Sequence, residues 1–255
     1  MPRIKAAYFA GAAVALAAIA ATITAKVTNA FDRPAGYGAV VDFRRVIAPP
    51  PAPASAEATA ERARLAGSTT AIGTQRWQQA STQVFPASAQ VTAQIACALG
   101  RQVTPTTARL LARAGTDVSQ SVEPAKSFFK RDRPFVGQSD PRTCDPRSLG
   151  GLGGSTGGVL SYAYPSGHAA YGELWGKILS AAVPASAASV TAWGRQLGDN
   201  RVVCRVHWPS DVAAGRKLAN AVYAKLRTNR QFNADLAAAR AELAAAPAPR
   251  DCKKP

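Results

Sequence analysis

His168 and His207 are the only imidazoles in the chain, and each stands beside a Pro-Ser pair, in YPSGH and HWPSD. Asp211 follows His207 in RVVCRVHWPSD, the stretch that Arg201 opens. A carboxylate at that spacing can hold one ring nitrogen as N–H and leave the other bare to attack, so His207 reads as a nucleophile and Asp211 as its orienter. His168 has no carboxylate near it in sequence. It is the better candidate for an acid that protonates a departing alkoxide and then activates water.

Fixed cations extend the set. Guanidinium forks match phosphate oxygens in pairs, which suits Arg133 and Arg201, while Lys126 in KSFFKRDRP supplies a point charge. Ser166 and Gly167 stand where a helix should begin. A hydroxyl and backbone N–H groups there face an anion at the positive helix end, and Gly167 admits close approach. Each cluster alone reads equally well as solvated cations, a turn or a local capping pair. Together they supply what phosphoryl transfer from an ester needs without a metal or other cofactor: nucleophile, orienter, proton donor and cations.

The elements that must bring these residues together are helical. Strand signals are nearly absent, and helix start and stop signals recur from about Glu57 onward. A helix from about Ala87 to Leu99 carries Val91, Ile95 and Leu99 on one face, with Gly100 as terminator. Thr104-Pro105 starts the next, with Leu110, Leu111, Ala114 and Val118 inward. Pro124 is expected to start a further short helix containing Lys126, and Pro184 a helix that Gly198 stops. Pro209 opens a long helix through Leu226, which puts Asp211 in its first turn. A last amphipathic helix carries Phe232, Leu236 and Leu243. The expected fold is all-α, a compact single-domain helical bundle whose site is built from helix ends and loops. SLGGLGGSTGGVLS, between Phe135 and Tyr164, has no Gly-Lys-Ser/Thr and reads as a lid or spacer.

Four parts are expected along the chain: a signal peptide over 1–30, an extended Pro-rich arm over 31–56, a catalytic domain over 57–246 and a tail over 247–255. Arg3 and Lys5 precede an uncharged, Ala-rich run that ends near Thr28-Asn29-Ala30, the pattern of an export leader. The competing reading is an uncleaved anchor. No later stretch reaches the roughly 18 apolar residues of a membrane span, so no stable insertion is expected after cleavage. Cys97, Cys144, Cys204 and Cys252 suggest two disulfides in one of three pairings, which fits a periplasmic or secreted protein. A formal charge of +16 favours anionic partners. The basic residues are scattered and no nucleic-acid recognition module appears. A homo-oligomer is compatible with the sequence.

The pattern Lys-x6-Arg-Pro, Pro-Ser-Gly-His and Arg-x5-His-x3-Asp resembles the three-part signature of the type 2 phosphatidic acid phosphatase superfamily, matched at Lys126, Arg133, Pro134, Pro165, Ser166, Gly167, His168, Arg201, His207 and Asp211. AKSFFKRDRPF, SYAYPSGHAA, RVVCRVHWPSDVAAGR and LRTNRQFNADL narrow the resemblance to class A bacterial non-specific acid phosphatases, over roughly Pro49 to Leu243. That family implies an all-α fold, a phosphohistidine intermediate, no metal and broad action on phosphate monoesters. It also implies pairing of Cys144 with Cys204, which leaves Cys97 for Cys252. Two residues depart from its pattern. Asn200 stands where serine is usual and keeps a hydrogen-bond donor. Arg205 stands where glycine is usual and is expected to narrow the pocket or add a phosphate contact. Three other readings compete: a vanadium-dependent haloperoxidase, a lipid-phosphate phosphatase, and a non-enzymatic basic envelope protein that binds polyanions.

Overall fold

Six of the helices start on a side chain that accepts a backbone N–H of the first turn: Ser55, Thr74, Ser88, Thr104, Ser166 and Asn229. Such caps satisfy donors that a helix start leaves orphaned. The computed structural model describes residues 34–84, 86, 88–145, 162–250 and 252. Among them the helices are α1 (Ala56–Gly67), α2 (Gln75–Ser81), α3 (Ala89–Leu99), α4 (Pro105–Phe129), α5 (Gly167–Ala182), α6 (Ala187–Val203), α7 (Pro209–Leu226) and α8 (Arg230–Ala245), with no strand. No helix of the described residues is long and apolar enough to cross a membrane. The expected leader over 1–30 and the Gly-rich loop lie outside the described residues.

The apolar positions singled out by spacing form the core. Val91, Ile95, Leu99, Leu110, Leu111, Ala114, Val118, Phe232, Leu236 and Leu243 are all buried in one cluster. Gly100 ends α3 at φ 67, the left-handed conformation that glycine adopts without steric cost.

Two boundaries differ from expectation. Pro124 starts no new helix; it lies inside α4, which runs unbroken to Phe129. Proline removes one N–H from the ladder, but Val122, Ala125 and Lys126 prolong the buried face of Val118, and that packing keeps the helix going. Gly198 does not stop α6. It is a contact residue instead: a Cβ at Gly198 would lie 2.9 Å from the Cβ of Ala169 on α5. The same interface is tighter still at Gly172, where a Cβ would come within 2.1 Å of the Gly194 carbonyl oxygen. Bare glycines thus let α5 and α6 pack backbone to backbone, which sets Ser166 at the head of α5 and Arg201 near the foot of α6.

The described part of the segment read as an arm, residues 34–55, is irregular apart from a short 3-10 turn at Phe43–Arg45, and it is strapped to the helices. Tyr37, Ala39, Phe43 and Ile47 enter the main core. The buried Asp117 carboxylate of α4 accepts the backbone N–H groups of Tyr37 (2.9 Å), Gly38 (3.0 Å) and Ala39 (3.1 Å). Two disulfides are formed: Cys97–Cys252, the pair left over, and Cys144–Cys204, the pair that the resemblance implied. The first holds the tail, with help from the Gln102 N–H, which donates to the Pro247 carbonyl at 2.9 Å.

Candidate active site

His207 lies in the turn between α6 and α7 and is buried. Its backbone N–H and that of Val206 both donate to the Arg201 carbonyl, at 3.2 and 3.1 Å. The foot of α6 therefore fixes the main chain under the imidazole. Pro209 opens α7 as expected, and Asp211 sits in its first turn. Asp211 Oδ2 accepts the Trp208 N–H at 2.8 Å and lies 3.2 Å from His207 Nδ1.

The other face of the ring meets a cation. Arg133 Nη1 lies 3.2 Å from His207 Nε2 and donates to the Val206 carbonyl at 2.7 Å. A guanidinium only donates and a carboxylate only accepts, so these partners favour the tautomer with its proton on Nδ1 and its lone pair on Nε2. Burial holds the His207 imidazole well below its ordinary range, and the charges of Arg133, Lys126 and Arg201 act in the same direction. The Ala163 backbone opposes them. Burial and the neighbouring cations thus disfavour the charged imidazolium.

Lys126 and Arg133 converge on one carbonyl: Lys126 Nζ donates to Tyr162 O at 2.6 Å, and Arg133 Nη2 to the same oxygen at 3.5 Å. Burial lowers Lys126 to about 7, and Arg133 adds to that, while Glu123 and Asp211 oppose it. Arg201 is fully buried, and its Nη2 donates to the Ala80 carbonyl at the end of α2. Asn200 beside it accepts from Arg76 Nε at 2.8 Å and donates to Gln83 Oε1 at 2.6 Å. The amide makes these contacts with two separate atoms, Oδ1 and Nδ2, where a serine has a single hydroxyl oxygen.

The start of α5 is joined to the start of α7, since the Ser166 N–H donates to the Asp211 carbonyl at 2.9 Å. Ser166 caps α5. Packing does not require glycine at 167, where a Cβ would meet nothing nearer than Val122 Cγ1 at 4.0 Å. His168 lies in the first turn of α5, and its Nε2 is 3.0 Å from the Val84 carbonyl oxygen. A carbonyl can only accept, so this contact favours a proton on Nε2.

The structure thus sets Lys126, Arg133, Arg201 and Asp211 near His207, and it ties the start of α5, where Gly167 and His168 follow Ser166, to Asp211 through the Ser166 N–H. Arg205 behaves differently from expectation. It is buried, and its Nη1 pairs with Asp140 Oδ2 at 3.4 Å and donates to the Arg142 carbonyl at 3.1 Å. Its φ of 61 is left-handed, which explains why glycine suits this position and why an arginine there carries strain. Two residues that matter to the geometry carried no separate signal. Arg131 Nη1 donates to Asp211 Oδ1 at 2.6 Å, and Glu61 Oε2 pairs with Arg131 Nη2 at 2.7 Å. Arg131 was visible only as part of KRDRP, and Glu61 looks like any acid on an amphipathic helix.

Burial raises the Asp211 carboxyl, against the lowering influence of Arg131 and the Trp208 N–H. Arg131 Nη1 and the Trp208 N–H both donate to it, the surroundings of a carboxylate rather than of a carboxylic acid. A neutral nucleophilic nitrogen ringed by cations can take a phosphoryl group, and a carboxylate behind it can carry the imidazolium charge that results.

Comparison with known proteins agrees with this geometry. The PAP2 superfamily pattern matches residues 107–233, a span that contains every site residue predicted from the sequence. The chain is 32% identical over 179 residues to a non-specific acid phosphatase of Salmonella typhimurium, covering 67% of this chain and 68% of that one. It is 34% identical over 175 residues to an acid phosphatase of Zymomonas mobilis, covering 67% and 64% respectively. A non-specific acid phosphatase of Providencia stuartii is 29% identical over 211 residues, 80% of this chain and 82% of its own. By its signature residues, its helical fold and these relatives, the chain belongs to the PAP2 superfamily and, within it, to the non-specific acid phosphatases.

Proposed function

We propose that the protein hydrolyses phosphate monoesters of broad structure at acidic pH, without a metal, through a phosphohistidine on His207. The observation that carries this reading is the imidazole held between Asp211 at Nδ1 and Arg133 at Nε2, with burial first and then Arg133, Lys126 and Arg201 lowering its basicity. Arg133 moves from Nε2 onto a phosphate oxygen as substrate enters. The Nε2 lone pair attacks phosphorus, the P–O bond to the alcohol breaks, and His168 gives its proton to the departing alkoxide. With Nε2–H held by the Val84 carbonyl, Nδ1 of His168 is the atom that gains and gives that proton. Water then attacks the phosphohistidine, His168 takes the water's proton, the P–N bond breaks and inorganic phosphate leaves. Lys126, Arg133, Arg201, the Ser166 hydroxyl and the backbone at Gly167 hold the phosphoryl oxygens throughout.

An export leader over 1–30 and a periplasmic or secreted location belong to the same proposal. Two disulfides support it, since such bonds persist in oxidising compartments.

The test is hydrolysis of an aryl phosphate in excess chelator, with acid-labile, base-stable radiolabel trapped on the protein from labelled substrate. Wild type turns over and carries label, whereas His207→Ala does neither. Loss of all activity on chelation, or wild-type turnover by His207→Ala, overturns the reading.

A further inference from the structure

We infer that Glu61 and Arg131 form a positioning relay that sets the His207 ring through Asp211, a role that rests on the phosphohistidine reading above. Three links run from α1 to the imidazole. Glu61 Oε2 pairs with Arg131 Nη2 at 2.7 Å, Arg131 Nη1 donates to Asp211 Oδ1 at 2.6 Å, and Asp211 Oδ2 faces His207 Nδ1 at 3.2 Å. Two cross-ties brace them. The Ser210 N–H donates to Glu61 Oε1 at 2.7 Å, and Arg131 Nη1 donates to the Ser210 hydroxyl oxygen at 2.7 Å.

Both Glu61 oxygens accept from donors, and the side chain is buried. Only an ionised carboxylate satisfies both contacts. An amide of the same shape must turn its NH2 toward either Arg131 or the Ser210 N–H, and one link is lost. Arg131 would then hold Asp211 by a guanidinium anchored at one end. The Asp211 carboxylate needs both oxygens fixed, because Oδ1 belongs to Arg131 while Oδ2 serves Trp208 N and His207 Nδ1. Rotation of that carboxylate frees the imidazole to change tautomer or tilt, and the attacking lone pair leaves its line. The cations proposed to bind phosphate are untouched, so the loss should fall on the chemical step and not on binding.

The experiment compares wild type with Glu61→Gln, using an aryl phosphate as substrate and inorganic phosphate as the binding probe. The expected result is kcat lower by about 10- to 100-fold, by analogy with the partners that orient metal-ligating histidines from behind. KM and the inhibition constant of phosphate should stay near wild type, and Glu61→Asp should recover part of the loss. The pH profile is a second readout. Arg131, Lys126 and His207 face Asp211, and a weakened hold by Arg131 lets burial raise the carboxyl further, so the acid limb of kcat moves to higher pH.

A third readout is independent of turnover. With two histidines in the chain, 15N-histidine spectra resolve both rings, and His207 should be the Nδ1–H tautomer in wild type and a mixture in Glu61→Gln. Unchanged kcat together with an unchanged spectrum overturns the relay. So does a loss shared equally between kcat and phosphate affinity, which marks general damage. Should Glu61→Gln fail to give a wild-type circular dichroism spectrum, Glu61→Asp is judged by the same readouts. Inactive wild type would defeat the proposed function, while the tautomer measurement would still decide the relay.

Discussion

Asp211 is the residue on which most of the site's order depends, since its carboxylate meets Arg131, the Trp208 N–H and His207. Replacing it by asparagine keeps the shape and reverses part of the polarity. The amide oxygen stays with Arg131, so the NH2 turns to two groups that themselves donate. His207 escapes the clash by shifting its proton to Nε2, which removes the attacking lone pair. Under the proposed chemistry Asp211→Asn therefore loses about 10⁴ in kcat, as expected for an imidazole locked in the wrong tautomer, with phosphate affinity retained; single-turnover kinetics and phosphate inhibition check this. The His207–Asp211 pair was legible in sequence because the two residues are only four apart in the chain. Glu61 was not, because its partner Arg131 comes from the loop after α4, far away in the chain, and nothing in ATAERARLAG marks one acid as buried.

Helix spacing predicted the inward faces of α3, α4 and α8, because a strip of apolar residues has few ways to be buried. It failed at Pro124 and Gly198, and for a common reason. Local propensity treats proline and glycine as breaks, while the decisive contacts come from elsewhere: the core beneath α4 and the bare backbone of α5 against α6. That close approach gives a prediction. In Gly172→Ala the new methyl would sit 2.1 Å from the Gly194 carbonyl oxygen, so the helices must part. The expected cost is about 2–4 kcal/mol in denaturant unfolding, the upper range for overpacking. Because α5 carries Ser166 and His168 at its head, catalytic rate should fall with stability. Gly167→Ala, which meets only ordinary contacts within the protein, should leave stability nearly unchanged.

A buried ammonium is an expense borne by the entire fold. Lys126 falls from 10.5 to about 7 on folding, so between those values the unfolded chain binds a proton that the folded chain refuses. Stability contributed by this group therefore rises with pH across that window and declines as pH falls through it. Lys126→Met should melt at higher temperature than wild type near neutrality and show a flatter melting profile from about pH 7 to 9.5. Added inorganic phosphate should raise the melting temperature of wild type more than that of the variant, because the anion supplies the charge that the ammonium lacks. Overall charge and four cysteines pointed in the sequence toward anionic partners and disulfides, but which cations would be buried depended on the fold. The Cys97–Cys252 bond has a mechanical meaning as well. It turns the polypeptide between those residues into a closed ring that contains Lys126, Arg133, Ser166, His168, Arg201, His207 and Asp211, and leaves Glu61 outside. Tension applied to the two ends of the chain crosses that covalent clasp without stretching the ring. A pull on the N-terminal flank therefore loads the strap and α1, where Glu61 lies, and reaches the closed ring only at Cys97.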